Sequence, residues 1–372
     1  MGKRILLGHL NSNGDCLYAT VVARQIKEVD FPGCHLTWGV SQFCKQSVEL
    51  NPYVDEIWEY PTKALLATLN EWDEFVAEAR GRKDKGEFDE IFLTQIIGEN
   101  MVNIDGIIRS SIYNNYPFPV TVPKQPILRL SGQEVEAVRK FAEEHNLSSY
   151  RNVVLMECRP SSFSSSLNPA ACTSFAEKFA RENPGTAFIL SSNKKIESSV
   201  NVIDGSRLTF RENAEITKYC THFIGCSSGI SWICTTDWAK PLPRIIITTR
   251  SKNFTYSMVL DHEYAGLDTS GIIEFPEQDN VLSILNDTLK ESINNSFSAA
   301  REKYHAPLRV KPYKFIYVLS RLSYERHDIA TPFKALRKTF KRKGFSMRVL
   351  LYFLKAFVKL PVYYFKGDRL NK

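Results

Sequence analysis

Short apolar runs alternate with amphipathic stretches over the first half of the chain. These runs are rich in Ile, Leu, Val, Trp and Phe, a composition typical of buried strands. They occupy residues 3–10, 35–40, 54–60 and 88–95. Polar and apolar spacing between the runs predicts helices over residues 16–29, 41–51 and 61–87. This alternation predicts a parallel sheet that is covered by helices on both faces.

The same alternation begins again in the second half of the chain. Four prolines exclude a helix interior from residues 117–130, which we expect to cross between two lobes. Ser131 and Glu134 form a capping box at the start of a predicted helix over 131–147. Further strands are predicted at 153–158 and 187–192 and within 223–247, and further helices over 170–183 and 277–305. The fold class is therefore α/β, with two lobes of about 150 residues each around a central cleft.

Charge separates a C-terminal tail from these two lobes. We place the lobes at residues 1–148 and 149–305 and the tail at 306–372. The tail holds 17 Lys and Arg residues against three acidic ones, whereas the remaining chain has 31 basic and 38 acidic residues. Basic and aromatic residues interleave in the tail, which is typical of an amphipathic helix at an anionic membrane surface. RNA binding and docking onto the protein body are the alternative interpretations.

One face of the predicted tail helix is apolar. That face consists of Phe345, Val349, Tyr352, Phe353, Ala356 and Leu360, while Arg348, Lys355 and Lys359 reach another face. Lys and Arg beside an apolar face can bind anionic head groups while the apolar side chains enter the bilayer boundary. We therefore favour an anionic membrane as the partner of the tail, and not nucleic acid.

Several classes of protein are not supported by the sequence. It has no N-terminal secretory segment and no uncharged apolar stretch of the length that crosses a membrane. The eight cysteines form no CxxC pair and no metal-ligand spacing, so we expect reduced cysteines, no disulfides and no metal site. The phosphate-binding motif GxxxxGK[ST], the nucleophile motif GxSxG and the dinucleotide motif GxGxxG are also absent. A cytoplasmic protein fits these observations.

The stretch over residues 223–247 holds the strongest candidate for a ligand-binding loop. An apolar strand end is followed by the small residues Cys226, Ser227, Ser228 and Gly229, and then by a helix that begins near Ile230. Small side chains allow backbone N–H groups to approach an anion, and the helix dipole adds positive potential. The loop therefore predicts a phosphate or pyrophosphate site. An ordinary strand–turn–helix whose serines cap the helix is the alternative.

Asp15 is the leading catalytic candidate. It follows the first predicted strand and a polar turn, at the junction with the first helix. Ligands of open α/β sheets gather at this edge, where a carboxylate can accept a proton from an attacking hydroxyl. Asp is also a favoured helix cap, and that role requires no catalysis.

Two further turns could contact a nucleotide. Arg159, Ser161 and Ser162 follow the first strand of the second lobe, and an arginine beside two hydroxyls suits a pyrophosphate. Asn193 and Glu197 follow the next strand and could reach a ribose or a base edge. Serine-rich turns and loop carboxylates are also common at ordinary solvated surfaces.

Two motifs occur in the order found in a known family. Residues 13–58 include Gly14-Asp15, Pro32-Gly33 and the sequence NPYVDEI, which are similar to the family's Gly-Asp, Pro-Gly and NPxVDE elements. The sequence FIGCSSGISWICTTDWAKPLPRIII is similar to the family's loop FVGxDSGxxHLAAAxGxP. Over about residues 1–300 the chain thus resembles the bacterial heptosyltransferase-like glycosyltransferases of lipopolysaccharide synthesis. The resemblance implies the GT-B fold, with two Rossmann-like lobes.

The resemblance also implies roles for individual residues. Asp15 corresponds to the general base, and Ser228 and Gly229 correspond to the donor-diphosphate loop. Ser227 stands where the family usually has Asp, and Trp232 stands where it usually has His. The loop over 159–166 lacks the family's KxW signature. The residues predicted to bind the donor diphosphate are Arg159, Ser161, Ser162, Ser227, Ser228 and Gly229. Those predicted to bind the nucleotide are Asn193 and Glu197, and those predicted to bind the acceptor are Asn11, Asn13 and Gln95.

The function implied is inverting, metal-independent glycosyl transfer without a cofactor. The donor would be a nucleotide-diphosphate sugar, and the acceptor a lipid-linked glycan at the cytoplasmic face of a bacterial inner membrane. Lipopolysaccharide, O-antigen and capsule precursors are acceptors of this class. A nucleotide-sugar epimerase or hydrolase on the same fold is one alternative, and a membrane-docked binding protein without catalysis is another.

Overall fold

A computed structural model of the chain contains two parallel β-sheets, one in each half. The structure describes residues 2–104, 107, 109–158, 167–197, 199–248, 256–308 and 330–366. Helices cover the sheets, so the two-lobed α/β architecture predicted from the sequence is confirmed. The lobe boundaries at 148 and 305 stay a prediction.

The first sheet has four strands. They are β1 (Arg4–Gly8), β2 (His35–Ser41), β3 (Glu56–Tyr60) and β4 (Glu90–Leu93). The sheet order is β3-β2-β1-β4, and every neighbouring pair is parallel. The helices of this half are α1 (Asn13–Gln25), extended by a π-helical turn over Ile26–Asp30, α2 (Leu69–Asp84) and α3 (Ser110–Asn114). Parallel strands bring their carboxyl ends to one edge, and the turn before α1 lies at that edge.

The second sheet has six strands in the order β10-β9-β8-β5-β6-β7, again all parallel. They are β5 (Asn152–Glu157), β6 (Thr186–Ser191), β7 (Val202–Asp204), β8 (His222–Gly225), β9 (Arg244–Thr248) and β10 (Ile272–Pro276). The helices are α4 (Gly132–Glu144), α5 (Pro169–Glu182), α6 (Glu212–Ile216), α7 (Gly229–Ile233), α8 (Met258–Ala265), α9 (Val281–Asn294) and α10 (Phe297–Tyr304). The capping box predicted at Ser131 and Glu134 is present at the start of α4.

Three of the predicted helices differ from the structure. The helix predicted over 61–87 is shortened to α2, which begins at Leu69 because Thr68 caps it. Residues 41–51 form successive tight turns around a single 3₁₀ turn at Lys45–Ser47, and not an α-helix. The carbonyls of Gln46 and Glu49 accept hydrogen bonds from Arg211. In a helix over 41–51 the Gln46 carbonyl would instead accept from the N–H of Leu50. The helix predicted over 277–305 is divided into α9 and α10, because Ser296 caps a new helix by accepting from the N–H of Ala299.

One hydrophobic core joins the two halves of the molecule. Helix α1 packs against α7, and the rings of Tyr18 and Trp232 meet edge to face with centroids 5.0 Å apart. Gly14 allows this approach, since a β-carbon there would lie 2.9 Å from the Trp232 ring. The segment predicted to cross between lobes contributes Leu128, whose N–H donates to Asp237. The cleft therefore lies beside a buried apolar contact between the halves.

The tail contains two helices within the described residues, α11 (Ala330–Lys343) and α12 (Met347–Lys366). Val349 and Phe353 of α12 are buried with Met101, Ile104 and Ala335 in a small hydrophobic cluster. Part of the tail thus docks onto the protein body, which was one of the alternatives left open by the sequence. None of the helices in the described ranges is long and apolar enough to cross a membrane.

Candidate active site

A cavity of about 600 Å³ lies between the two halves, at the carboxyl ends of the strands. From the first half, Asp15 lines it together with the turn before α1. From the second half, Ser227, Ser228 and Gly229 line it at the start of α7. The carboxylate and the small-residue loop, which are more than 200 residues apart in sequence, therefore share one cavity.

Asp15 is placed by the first turn of α1. One carboxylate oxygen accepts a hydrogen bond from the Ser12 hydroxyl at 3.3 Å. The side chain keeps 17% of its surface exposed, so the carboxylate can still meet a ligand in the cavity. Burial raises the pKa of Asp15, and the nearby Arg109 charge and the Ser12 hydrogen bonds oppose that rise. Asp15 is not the N-cap of α1, because Ser12 occupies that position.

Arg109 is a buried cation held between two carboxylates. Its Nε lies 3.4 Å from Asp15 Oδ1, and its NH1 group donates to Asp261 Oδ2 at 3.3 Å. The guanidinium also stacks on Trp232, with 4.1 Å between Cζ and the ring centroid. Because Asp261 belongs to α8, one arginine connects a carboxylate from each half. Burial, opposed by Arg109, raises the pKa of Asp261 to about 7.

Glu157 holds the small-residue loop from the end of β5. Its carboxylate accepts hydrogen bonds from the hydroxyls of Ser228 and Ser231 and from the backbone N–H of Cys226. Ser228 precedes α7, but its hydroxyl makes no helix-capping bond. Helix capping by that serine therefore does not explain the loop. Burial raises the pKa of Glu157, and the bonds from Ser231 and Cys226 oppose the rise.

Ser227 adopts the left-handed backbone conformation that links β8 to α7, with a φ of 59°. Its hydroxyl is buried, and it has no hydrogen-bond partner among the described residues. Trp232, which stands where the family usually has His, donates from Nε1 to the Ser227 carbonyl at 3.2 Å. Ser227 and Ser228 thus line the cavity beside the first N–H groups of α7, which have no partner within the helix.

Only some of the remaining predicted site residues line the cavity. Asn193 and Asn13 line the cavity, and Asn13 accepts a hydrogen bond from Ser47 at 2.9 Å. Glu197 is exposed and is not among the lining residues. Asn11 and Gln95 are buried against one another, with the Asn11 N–H donating to Gln95 at 2.9 Å, and they do not line the cavity.

Binding roles for all of these residues stay predictions. Arg159, Ser161 and Ser162 lie outside the described residues. The described ranges contain no group of three or more His, Cys, Asp or Glu side chains that could hold a metal ion.

Sequence reasoning missed several residues of the site. Arg109 and Asp261 were not identified, although a single arginine in the apolar stretch GIIRSSIY was a usable signal. Phe210 and Tyr256 also line the cavity without belonging to any motif. Phe210 lies close to Gly229, 3.3 Å from the position that a β-carbon would take there. These residues supply aromatic surface where a base or a sugar could stack.

Comparison with solved structures finds the same arrangement of two lobes. A glycosyl transferase of family 9 from Veillonella parvula is similar over 87% of this chain and 98% of its own, with a TM-score of 0.53 and 15% identity. This chain has the two-lobed fold of those glycosyltransferases. The ADP-heptose lipopolysaccharide heptosyltransferase II of E. coli is similar over 78% of this chain and 98% of its own, with a TM-score of 0.52 and 12% identity. No protein-family model matches the sequence, and no curated protein does either.

The resemblance to the heptosyltransferase-like glycosyltransferases is therefore confirmed at the level of the fold. At such low identity the shared fold does not determine the donor or the acceptor. Any assignment of chemistry must come from the cavity, which the Asp15 carboxylate lines together with a loop of small residues.

Proposed function

We propose that this protein is an inverting, metal-independent glycosyltransferase that uses a nucleotide-diphosphate sugar. One observation supports the proposal most directly: Asp15 and residues 227–229 line the same cavity from opposite halves of the molecule. An inverting transfer needs a base on one side of the anomeric carbon and stabilisation of the leaving diphosphate on the other. The two-lobed fold shared with known glycosyltransferases is consistent with this division.

In the proposed reaction Asp15 accepts the proton of the attacking acceptor hydroxyl. The oxygen then forms a bond to the anomeric carbon as the bond from that carbon to the diphosphate breaks. The nucleoside diphosphate leaves with the electron pair, and backbone N–H groups at the start of α7 stabilise its charge. The buried apolar contact between α1 and α7 helps to exclude water, which would otherwise hydrolyse the donor.

The charged residues of the cavity indicate which side chains could stabilise the leaving diphosphate. The described lining includes the carboxylates of Asp15 and Glu157 and a single Lys or Arg side chain, that of Arg109. Arg109 is already paired with Asp15 and Asp261, so it supplies little net positive charge to a diphosphate. We therefore assign further stabilisation of the diphosphate to Arg159, with Ser161 and Ser162. Ser227 adds its hydroxyl, and Asn193 contacts the nucleotide.

The experiment that tests this proposal measures release of nucleoside diphosphate with and without acceptor extracts. Donors are first selected by thermal shift, since a ligand at about 100 times its dissociation constant stabilises a protein by about 2.7 kcal/mol. Asp15→Asn should then abolish acceptor-dependent release while the donor still raises the melting temperature. Glu78→Gln, at an exposed carboxylate on α2, is the matched control and should act as wild type.

Other outcomes separate the alternative functions. Release of free nucleotide without any acceptor would favour an epimerase or a hydrolase. Donor binding without turnover on any extract would favour a binding protein. Near wild-type transfer by Asp15→Asn would show that the base is assigned wrongly.

We further propose that the acceptor is a lipid-linked glycan and that the protein works at the inner face of a bacterial inner membrane. The charge of the tail supports this assignment, since residues 330–366 contain ten Lys and Arg residues and no Asp or Glu. Anionic lipids attract such segments. Transfer to lipid-linked acceptors presented in vesicles should therefore fall with rising salt, while transfer to a soluble acceptor analogue should depend on salt much less.

A further inference from the structure

Helix α12 of the tail has two apolar faces, and only one of them is covered. Val349 and Phe353 are buried at 7% and 4% exposure against the cluster that contains Met101 and Ile104. These two residues belong to the face that the sequence pattern assigned to the membrane. Because they pack on the protein body, that face cannot be the one that meets a bilayer.

A second apolar stripe lies on the opposite side of α12. It consists of Met347, Leu351, Leu354 and Val358, which are 57%, 59%, 48% and 75% exposed. Their spacing of four, three and four residues aligns them on one side of a helix over about 16 Å. At about 100° per residue, the stripe points away from the buried pair. Large side chains exposed together in this way mark an interaction surface.

Cations border this stripe. Arg348 and Lys355 of α12 are exposed and lie about 70–90° around the helix from the stripe. The preceding helix α11 carries four more exposed basic residues, Lys334, Arg337, Lys338 and Lys341. Since residues 330–366 contain no acidic residue, none of their positive charge is neutralised within that segment. Two copies of the chain would bring like charges together, which disfavours pairing through this surface.

We propose that the stripe formed by Met347, Leu351, Leu354 and Val358 is the surface through which the protein docks onto an anionic lipid bilayer. The apolar side chains enter the boundary between head groups and acyl chains, and the bordering cations bind the anionic head groups. A nucleic acid would use the cations but would leave the apolar stripe exposed to water. The occupant that matches both features is a membrane surface.

The docked tail gives this surface a defined place on the protein. Its hydrophobic cluster includes Met101 and Ile104, and Lys338 of α11 donates to Asn103 at 2.8 Å. This segment follows β4, so the docking surface is fixed to the half that carries Asp15. In the proposed function this half binds the acceptor, and docking would hold it next to a lipid-linked glycan. This role in presenting the acceptor rests on the proposed function, whereas binding of the protein to lipid can be tested without it.

The first experiment places a fluorescent probe on the stripe of the full-length protein. All eight native cysteines are buried, so a single exposed cysteine can be labelled selectively with an environment-sensitive dye. Labelled Leu354→Cys should shift to the blue with vesicles containing phosphatidylglycerol and remain unchanged with phosphatidylcholine alone. Labelled Val200→Cys, at a position 85% exposed in the other half, should not respond to either. Equal responses at both positions, or no response at Leu354→Cys, would overturn the inference.

The second experiment removes the stripe without touching the buried face. The triple variant Leu351→Gln, Leu354→Gln and Val358→Gln should weaken partition onto phosphatidylglycerol vesicles by about tenfold or more. The control variant Val29→Gln and Val200→Gln, at exposed apolar positions elsewhere, should bind as wild type. Retention of the donor-induced thermal shift and of transfer to a soluble acceptor analogue shows that the triple variant is folded.

The outcomes separate the docking surface from the proposed function. Wild-type vesicle binding by the triple variant would overturn the docking inference, even if transfer proceeds normally. Absence of transfer on every acceptor, with stripe-dependent vesicle binding intact, would overturn the glycosyltransferase proposal alone. A wild-type dimer that becomes a monomer in the triple variant, without vesicle binding by either protein, would assign the stripe to self-association. If the wild-type protein and the triple variant both bind RNA and neither binds vesicles, the membrane is not what binds this surface.

Discussion

Arg211 joins the two halves of the molecule through buried polar contacts, and we expect its removal to destabilise the protein strongly. Its side chain is 6% exposed and forms an ion pair with Glu134. The same guanidinium donates to the carbonyls of Gln46 and Glu49, both at 3.0 Å, and to the carbonyl of Arg129. Arg211→Ala leaves all of these acceptors without the donor that they share.

The magnitude follows from the burial of this arginine. Breaking a buried ion pair by removing one partner costs about 3–5 kcal/mol. Glu134 keeps 21% of its side-chain surface exposed and also accepts from Ser131. Water and Ser131 can therefore compensate part of the loss. We accordingly expect Arg211→Ala to lower the free energy of unfolding by about 3 kcal/mol.

Arg139 on α4 provides the matched control. It forms ion pairs with Glu136 and Glu143, but its side chain is 47% exposed. Exposed pairs contribute about 0–1 kcal/mol, so Arg139→Ala should change the free energy of unfolding by less than about 1 kcal/mol. Urea denaturation followed by far-UV circular dichroism measures both variants. The reasoning would be refuted if the two substitutions cost the same.

The same ion pair predicts a dependence of stability on pH. Burial acts to raise the pKa of Glu134, but hydrogen bonds from Arg211 and Ser131 outweigh it and hold that pKa below its usual value. The stabilisation is thus complete above the ordinary carboxylate pKa and is lost as the pH falls through the lowered one. The acid-induced loss of stability should therefore be smaller in Arg211→Ala than in wild type.

Three further predictions concern the cavity and the packing beside it. Gly14→Ala should lower the free energy of unfolding measured in urea, because a β-carbon there would lie 2.9 Å from the indole ring of Trp232. The control Gly81→Ala should instead raise the free energy of unfolding by about 0.5–1 kcal/mol, because this position lies inside α2 and a β-carbon there would meet nothing within 4 Å. Glu157→Gln should lower the free energy of unfolding by about 1–3 kcal/mol, since an amide cannot accept all of the loop's hydrogen bonds. It should also reduce the donor-induced thermal shift. An unchanged thermal shift would show that Glu157 does not support the donor site. Arg109→Gln should raise the pKa of Asp15, because burial raises it and the lost guanidinium no longer opposes that rise. In the pH profile of kcat/KM the acid limb should then move to higher pH, and a limb that stays in place would contradict Asp15 as the base.

Local patterns in the sequence were sufficient for the architecture and for part of the site. Alternating apolar runs predicted two parallel sheets, because strand and helix periodicities are properties of short segments. Asp15 and the loop over 226–229 each follow a predicted strand, and parallel strands bring their ends to one edge. Local patterns therefore placed each segment at the carboxyl edge of its own sheet, and the two-lobed family resemblance implied that these edges share a cleft.

Helix boundaries that depend on distant partners could not be predicted from the sequence. Residues 41–51 have a helical pattern of polar and apolar positions, yet Arg211 binds two of their carbonyls and successive turns replace the helix. The hydroxyl of Ser228 was available to cap a helix, yet Glu157 takes it. In both places a contact with a distant segment replaces the local hydrogen bond.

The sequence by itself determined which residues could carry chemistry and which segments could be buried. Only the tertiary structure decided that Arg109 bridges Asp15 and Asp261, which is 152 residues away from that arginine. It also decided which face of α12 is covered, by packing Val349 and Phe353 on the protein body. The spacing of apolar residues along a helix defines the apolar faces of that helix. Which face is covered depends on contacts with segments distant in the chain, and local spacing does not encode those contacts.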